Sequence, residues 1–446
     1  MHLPFVRTCS LSRAAPKRRA ELAPLLVEYR LRCQSAFKWL LAIACRCDGP
    51  IATDSALSRR AAWLALLLLL SACATKLPRP VSNSSPEPPV PLLLISLDGM
   101  RPDYLQRGIT PHLSRLAQAG VRAQWMNPSY PSLTFPNHYT LVTGLRPDHH
   151  GIVNNTMWDE QLGDFALSNR EAVGDARWWS GEPIWVSAER AGIRTATLFW
   201  PGSEAAGQGV RPWQWRKFDH QMASDQGVDQ ILAWLSLPAA ERPRLVTLYF
   251  EHVDGAGHDA GPDSAKVTEA LRQVDAGIGK LMAGLQARGL RDKINMIVVS
   301  DHGMTATSPQ RTVVVEDLVS PDDARAVSTG QVVGFSPKPG REAVAEQTLL
   351  GKHGAVECWR KQDMPARWHY GTHPRIPPIV CQADEGWLLI KRATYEKGVS
   401  MGWQGGGAHG YDPALPAMRA IFIAYGPAFR KTMTIPGFDN VDVYPL

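Results

Sequence analysis

A doubly wound α/β domain, with a mostly parallel sheet and helices on both faces, is the architecture this 446-residue sequence predicts. Three observations carry the prediction. Short, largely apolar runs recur at 92–97, 245–250 and 294–299, the pattern of strands buried on both faces. Segments with helical periodicity lie between them, so strand and helix alternate. Each run is followed closely by an aspartate: Asp98, Asp254 and Asp301.

The elements follow in order. After the 92–97 strand, Thr110-Pro111, then Leu113, Leu116 and Ala117, then Gly120 read as a helix with an N-cap, a proline at its first position and a glycine stop. Residues 131–138 read as a turn before a helical segment at 139–143. Residues 194–200 read as a strand, 225–235 as a helix, 264–288 as a long helix, and 420–425 as a returning core strand. The rhythm is lost over about 308–400, rich in Pro, Gly and Trp, which is expected to be an inserted irregular subdomain. One catalytic-sized domain over 92–446 results.

Composition restricts little. Hydrophobic content of 44% and charged content of 20% suit an ordinary globular chain. The net charge of +6 gathers largely in the first sixty residues, so it implies no nucleic-acid polymer as partner. Residues 59–73 combine Arg59-Arg60, an apolar run too short to span a bilayer, and Leu70-Ser71-Ala72-Cys73. This is the pattern of an export signal, and its ending resembles a bacterial lipobox with Cys73 as the lipidated mature N-terminus; a plain secretory signal is the alternative. The expectation is an exported, periplasmic lipoprotein held to a membrane by that anchor. Residues 1–58 are then a mis-assigned leader, with the true start near Leu57, and 74–91 a Pro/Ser-rich tether. Cys358 and Cys381 are the cysteines that remain, and a disulfide is the natural pairing in an oxidising compartment.

Ligand sites in open α/β sheets lie off the carboxyl ends of the strands. Three carboxylates gathered there repel one another unless cations neutralise them. Histidines accompany them: His258 four residues after Asp254, His302 beside Asp301, and His409 in the glycine-rich stretch 405–410. Carboxylates and imidazoles without thiolates favour zinc or another borderline divalent ion, and six such ligands suit two ions. Thr134, in a turn before a helix start, is the candidate nucleophile, because a helix N-terminus receives anions and a neighbouring cation favours the alkoxide. Alone, such a threonine reads as a cap.

Leu97-Asp98-Gly99-Met100-Arg101 and residues 131–138, 139–155, 251–258, 300–304 and 407–410 resemble, in order, the motifs of the nucleotide pyrophosphatase/phosphodiesterase family of the alkaline phosphatase superfamily. The resemblance implies an alkaline-phosphatase-like fold and two zinc ions per chain. It places Asp98, Asp301, His302 and the Thr134 hydroxyl around one ion, and Asp254, His258 and His409 around the other. It implies hydrolysis of phosphodiester or pyrophosphate bonds, most naturally of nucleotides, through a covalent phospho-Thr134, with Asn155 holding a phosphate oxygen. Phe135 and Tyr249 are similar to positions that sandwich a nucleobase, with Phe218 assisting; ordinary core packing is the bland reading of these aromatics. Tyr130, His138, His149, His150 and His252 crowd the motifs and read as supporting or structural residues.

Two rival functions stand beside this one. A phosphomonoesterase or phosphonate hydrolase of the same superfamily differs only in substrate. A sulfatase is disfavoured, since Thr134-Phe135-Pro136-Asn137-His138 lacks the arginine such enzymes carry. A non-catalytic anchored binding protein is the reading from another class.

Overall fold

The computed structural model describes residues 90–446; the leader, the export signal, Cys73 and nearly all of the tether lie outside them. An eight-stranded sheet organises the fold, in the order Met433–Ile435, Val121–Ala123, Phe422–Tyr425, Asn295–Val299, Leu92–Leu97, Leu245–Phe250, Thr195–Leu198, Gln214–Trp215. Leu92–Leu97 pairs in parallel with Leu245–Phe250 on one side and Asn295–Val299 on the other. Phe422–Tyr425 is the reversed strand, antiparallel to both its neighbours.

The apolar runs are buried on both faces, as a central strand requires. Leu93, Ile95 and Leu97 pack with Leu113, Ile231, Val267, Leu271 and Ile278 of the helices on one side. Leu94, Ile297 and Val299 face Tyr139, Leu141 and Trp178 on the other. Each such aliphatic side chain taken fully from water contributes about 1.5–3 kcal/mol. Ser96 belongs to the second face and is the polar interruption in an otherwise apolar strand.

Four elements differ from expectation. The helix Pro111–Ala119 has its proline at the start, but Thr110 makes no capping bond. Asp275 of the long helix Ala265–Ala287 caps it instead, accepting from His112 N at 3.1 Å and Leu113 N at 2.8 Å, a nonlocal cap that local sequence does not announce. The helix expected from 139 begins at Thr134 and runs to Thr143; Pro136 sits in its first turn, where no intrahelical N–H is needed. Asp254 lies on a helix, His252–Ala260, rather than at a strand end.

The insertion is not irregular. Ala324–Ala326, Val332–Pro337, Ile379–Ala383, Val356–Arg360 and Gly351–His353 form a five-stranded antiparallel sheet. Its core includes Val333, Phe335, Leu349, Val356 and Ile379. The strands are short and separated by Pro and Gly, so their alternation was hidden. Cys358 and Cys381 stand directly opposite one another on neighbouring strands and are joined by a disulfide.

This insertion braces the main domain where Asn155 lies. Asp148 accepts hydrogen bonds from the backbone of Gly371, Thr372 and His373 and from the Thr372 hydroxyl. Tyr370 donates to Val153 O at 3.0 Å, and Arg375 to Gly151 O at 3.0 Å. The loop that leads to Asn155 is therefore held at Gly151 and Val153.

Candidate metal centre and nucleophile

Parallel strands in register deliver their following residues to one rim. Asp98 follows Leu97, and its backbone N–H bonds to Phe250 O at 2.9 Å. Asp301 and His302 follow the Asn295–Val299 strand. Gly99 permits the close fit: its φ is +70°, and a Cβ there would meet Asp254 Cα at 3.0 Å, a conformation and an approach open to glycine. His409 arrives on a two-stranded ribbon, Thr305–Thr307 with Gly406–Ala408. A Cβ on Gly406 would stand 2.1 Å from His258 O, so the glycines let this ribbon lie against the helix that carries Asp254 and His258.

Six of the predicted ligands fall into two groups: Asp98, Asp301 and His302, and Asp254, His258 and His409. Within each, one ligating atom from every residue lies within 4.8 Å of the others. His302 Nε2 is 2.9 Å from Asp301 Oδ2 and 3.4 Å from Asp98 Oδ1. His258 Nε2 and His409 Nε2 are each 3.5 Å from Asp254 Oδ1. The two groups adjoin, with the His302 and His409 rings stacked at 3.4 Å.

Two features suit this donor set to cations. Among the described residues Asp98 Oδ1 and Asp254 Oδ1 are buried and accept no hydrogen bond, an arrangement that is costly unless a positive charge meets it. Each ligand histidine also has its Nδ1 at 2.9 Å from a backbone carbonyl: Gly407 O for His258, Gly303 O for His302 and Ser132 O for His409. A carbonyl only accepts, so Nδ1 carries the hydrogen and the Nε2 lone pair faces the cluster, the orientation of a metal-ligating imidazole.

The local electrostatics are severe. Burial, then the charges of Asp301 and Asp254, pushes the Asp98 carboxyl well above its usual range. Burial also opposes ionisation of Asp301, yet its contacts with His302 and His138 outweigh it and hold that carboxyl well below the usual range. Burial and then the neighbouring His302 and His258 keep His409 well below the usual imidazole value.

Thr134 opens its helix with its Oγ1 3.2 Å from His302 Nε2. Asn155 is fixed beside it: Oδ1 accepts from Phe135 N at 2.9 Å, and among the described residues its NH2 has no acceptor. Phe135 packs against Phe165 and Trp179. Phe218 packs edge-on against Phe199, His220 and Tyr249. Tyr249 has a second role besides any stacking. Its ring meets His138 and Phe218 edge-on, and its hydroxyl donates to Asp98 Oδ2 at 2.5 Å. Burial, then the Asp98 charge, holds this phenol well above its usual range, so it remains the donor. His138, read from the sequence as a supporting residue, lies fully buried between Ser96, Thr134 and Asp301. Had the helix been started at Thr134, the i, i+4 spacing would have placed His138 over the nucleophile's turn.

An eight-stranded, mostly parallel sheet with two carboxylate–imidazole groups and a threonine at its rim defines a hydrolase-type fold with a candidate two-cation centre. The sequence family described as type I phosphodiesterase / nucleotide pyrophosphatase matches residues 92–412, and the chain belongs to it. It is 39% identical over 367 residues to an uncharacterized pyrophosphatase/phosphodiesterase of Schizosaccharomyces pombe, with 80% of this chain and 75% of that one covered. It is 36% identical to ectonucleotide pyrophosphatase/phosphodiesterase family member 3 of Bos taurus and 35% identical to a venom phosphodiesterase of Naja atra. Each alignment covers 80% of this chain, but it spans only 41% and 43% of those two longer proteins. The solved structure of human ectonucleotide pyrophosphatase/phosphodiesterase 5 is similar with a TM-score of 0.75 and 33% identity, over 80% of this chain and 93% of that one. An inactive threonine-to-alanine variant of the murine counterpart, in complex with AMP, matches with the same TM-score, 34% identity and the same coverage.

Proposed function

We propose that this protein hydrolyses phosphodiester or pyrophosphate bonds of nucleotides, with Thr134 as nucleophile and two zinc ions as cofactors. One observation carries the reading: Thr134 Oγ1 stands beside two adjoining groups of ligating atoms, each with a buried carboxylate oxygen, Asp98 Oδ1 or Asp254 Oδ1, that accepts no hydrogen bond among the described residues. Asp98, Asp301, His302 and Thr134 would hold one ion, and Asp254, His258 and His409 the other. Zinc is favoured over calcium or magnesium because three of the six protein donors outside Thr134 are imidazoles. Bound there, such ions would neutralise a phosphate's charge and favour the ionised threonine hydroxyl.

The chain's own groups account for the rest. Thr134 Oγ1, its proton lost to solvent, forms a bond to phosphorus as the bond from phosphorus to the leaving oxygen breaks. The Asn155 NH2 donates to a non-bridging oxygen, where charge is spread in the transition state. Water then forms a new P–O bond on the opposite side, the P–Oγ1 bond breaks, and Thr134 regains a proton. Two in-line displacements give net retention at phosphorus. The murine relative's inactive threonine-to-alanine variant and its AMP ligand support this reading of nucleophile and substrate class.

Turnover of nitrophenyl thymidine monophosphate against nitrophenyl phosphate, with zinc quantified per chain, tests it. Preference for the diester with about two zincs bound supports a nucleotide diesterase; faster turnover of the monoester moves the protein to the phosphatase reading. Lipid anchoring at Cys73 completes the proposal as a periplasmic, membrane-held enzyme. Mass spectrometry of the mature N-terminus tests that part, and recovery of peptides from residues 1–50 would overturn it.

A further inference from the structure

We infer that His138 is a positioning residue for one ligand group alone, fixing Asp301 relative to the first turn of the nucleophile's helix. The inference rests on the two-ion reading above and concerns a residue which that reading does not use.

His138 is fully buried, and both ring nitrogens are engaged. Nδ1 is 2.9 Å from Thr134 O and 3.2 Å from Asp301 Oδ2. Thr134 O only accepts, so Nδ1 carries a hydrogen, and that N–H edge also faces the Asp301 oxygen. Nε2 lies 2.7 Å from Ser96 Oγ, the polar side chain of the central strand. The ring's orientation is set by edge contacts to Trp200 at 5.2 Å and Tyr249 at 5.3 Å. Trp200 Nε1 holds the same residue's backbone, donating to His138 O at 3.0 Å. One imidazole thus ties together the strand that precedes Asp98, the turn that presents Thr134, and a ligand carboxylate.

The connection is one-sided. Among the described residues His138 has no hydrogen bond or ion pair to Asp254, His258 or His409. Asp301 Oδ1 has only a long bond from Gly99 N, 3.3 Å, and the N–H edge that faces Oδ2 is that of His138, at 3.2 Å. A histidine that merely fills the core would, when lost, loosen the whole rim. A histidine that sets Asp301 would, when lost, weaken one ion and leave the other.

The test is zinc binding by the full chain in competition with a chromophoric chelator, alongside kcat and KM. The unmodified protein binds two ions. His138→Ala weakens one of them roughly 10–100-fold, the usual effect of losing a residue that orients a ligand, and leaves the other unchanged; kcat falls while KM holds. His138→Asn, which places an amide N–H near the position of Nδ1, recovers most of both losses. Ser96→Ala gives a smaller weakening of the same ion and serves if His138→Ala does not fold. Equal weakening of both ions, no weakening of either, or an Asn variant no better than Ala overturns the inference. An unmodified protein that binds fewer than two ions overturns the two-ion reading itself.

Discussion

The Nε2 atoms of His258 and His409 face each other across 3.0 Å, while the Nδ1 of each lies 2.9 Å from a backbone carbonyl. With Nδ1–H donated away on both rings, two lone pairs confront one another beside the unbonded Asp254 Oδ1. Such a contact is stabilised by a cation between the rings. Stripping metal with a chelator is therefore expected to lower the unfolding temperature as well as abolish turnover. Readdition of zinc at a thousandfold over Kd restores about 4 kcal/mol per site. Calorimetry with and without chelator checks this; an unchanged unfolding temperature contradicts it.

Tyr249→Phe separates two roles for that ring. A stacking platform tolerates the loss of a hydroxyl. A donor to Asp98 Oδ2 does not, because a hydrogen bond to a buried charged group is worth about 1.5–3 kcal/mol. The expected result is a fall in kcat of roughly 10–100-fold with weaker zinc binding, since residues that hydrogen-bond a metal's ligands have effects of that size. Wild-type kinetics would restore the stacking reading.

Asn155→Ala removes the amide held by Phe135 N. Losing one donor aimed at developing negative charge typically lowers kcat by about 10²–10³, and KM is expected to change far less. Steady-state kinetics on a nitrophenyl diester measure the split; a rise in KM alone would make Asn155 a ground-state binding residue.

His150 sets an acid limit on stability. It is buried, with Nε2 3.2 Å from Pro136 O and Nδ1 accepting from Ile152 N at 3.2 Å. Burial, partly offset by the bond to Pro136 O, lowers its pKa from 6.5 to about 3. The folded state refuses a proton that the unfolded chain takes up below pH 6.5. Stability is thus full above pH 6.5 and is lost as pH falls from there towards 3, at about 1.4 kcal/mol per pH unit. Urea unfolding at saturating zinc, from pH 7.5 to 5.5, is expected to show this slope in the unmodified chain and less of it in His150→Gln. Equal slopes contradict the assignment.

Much of the site was legible because its chemistry is local in sequence: Asp98, Asp301 and His302 directly follow strands whose apolar runs are unmistakable. Asp254 and His258 were found from spacing, but their helix was obscured by Gly255 and Gly257. The start of the nucleophile's helix was misplaced because Leu133 is no capping residue and makes no capping bond, so Phe135-Pro136-Asn137 read as a turn. The carbonyls that orient the three histidines are backbone atoms brought from Ser132, Gly303 and Gly407, and sequence carries no sign of them. Nor does it show that Tyr249 turns inward to Asp98, or that Asp275 caps a helix more than 150 residues away.

On the proposed mechanism Thr134 carries the phosphoryl group at a two-zinc centre. Zinc content and hydrolysis of nitrophenyl thymidine monophosphate, compared between the unmodified full chain and Thr134→Ala, test it most directly. About two zincs are expected in both proteins, with a loss of at least roughly 10³ in kcat in the variant, the scale seen when a nucleophile is removed. Full hydrolysis by Thr134→Ala would contradict it.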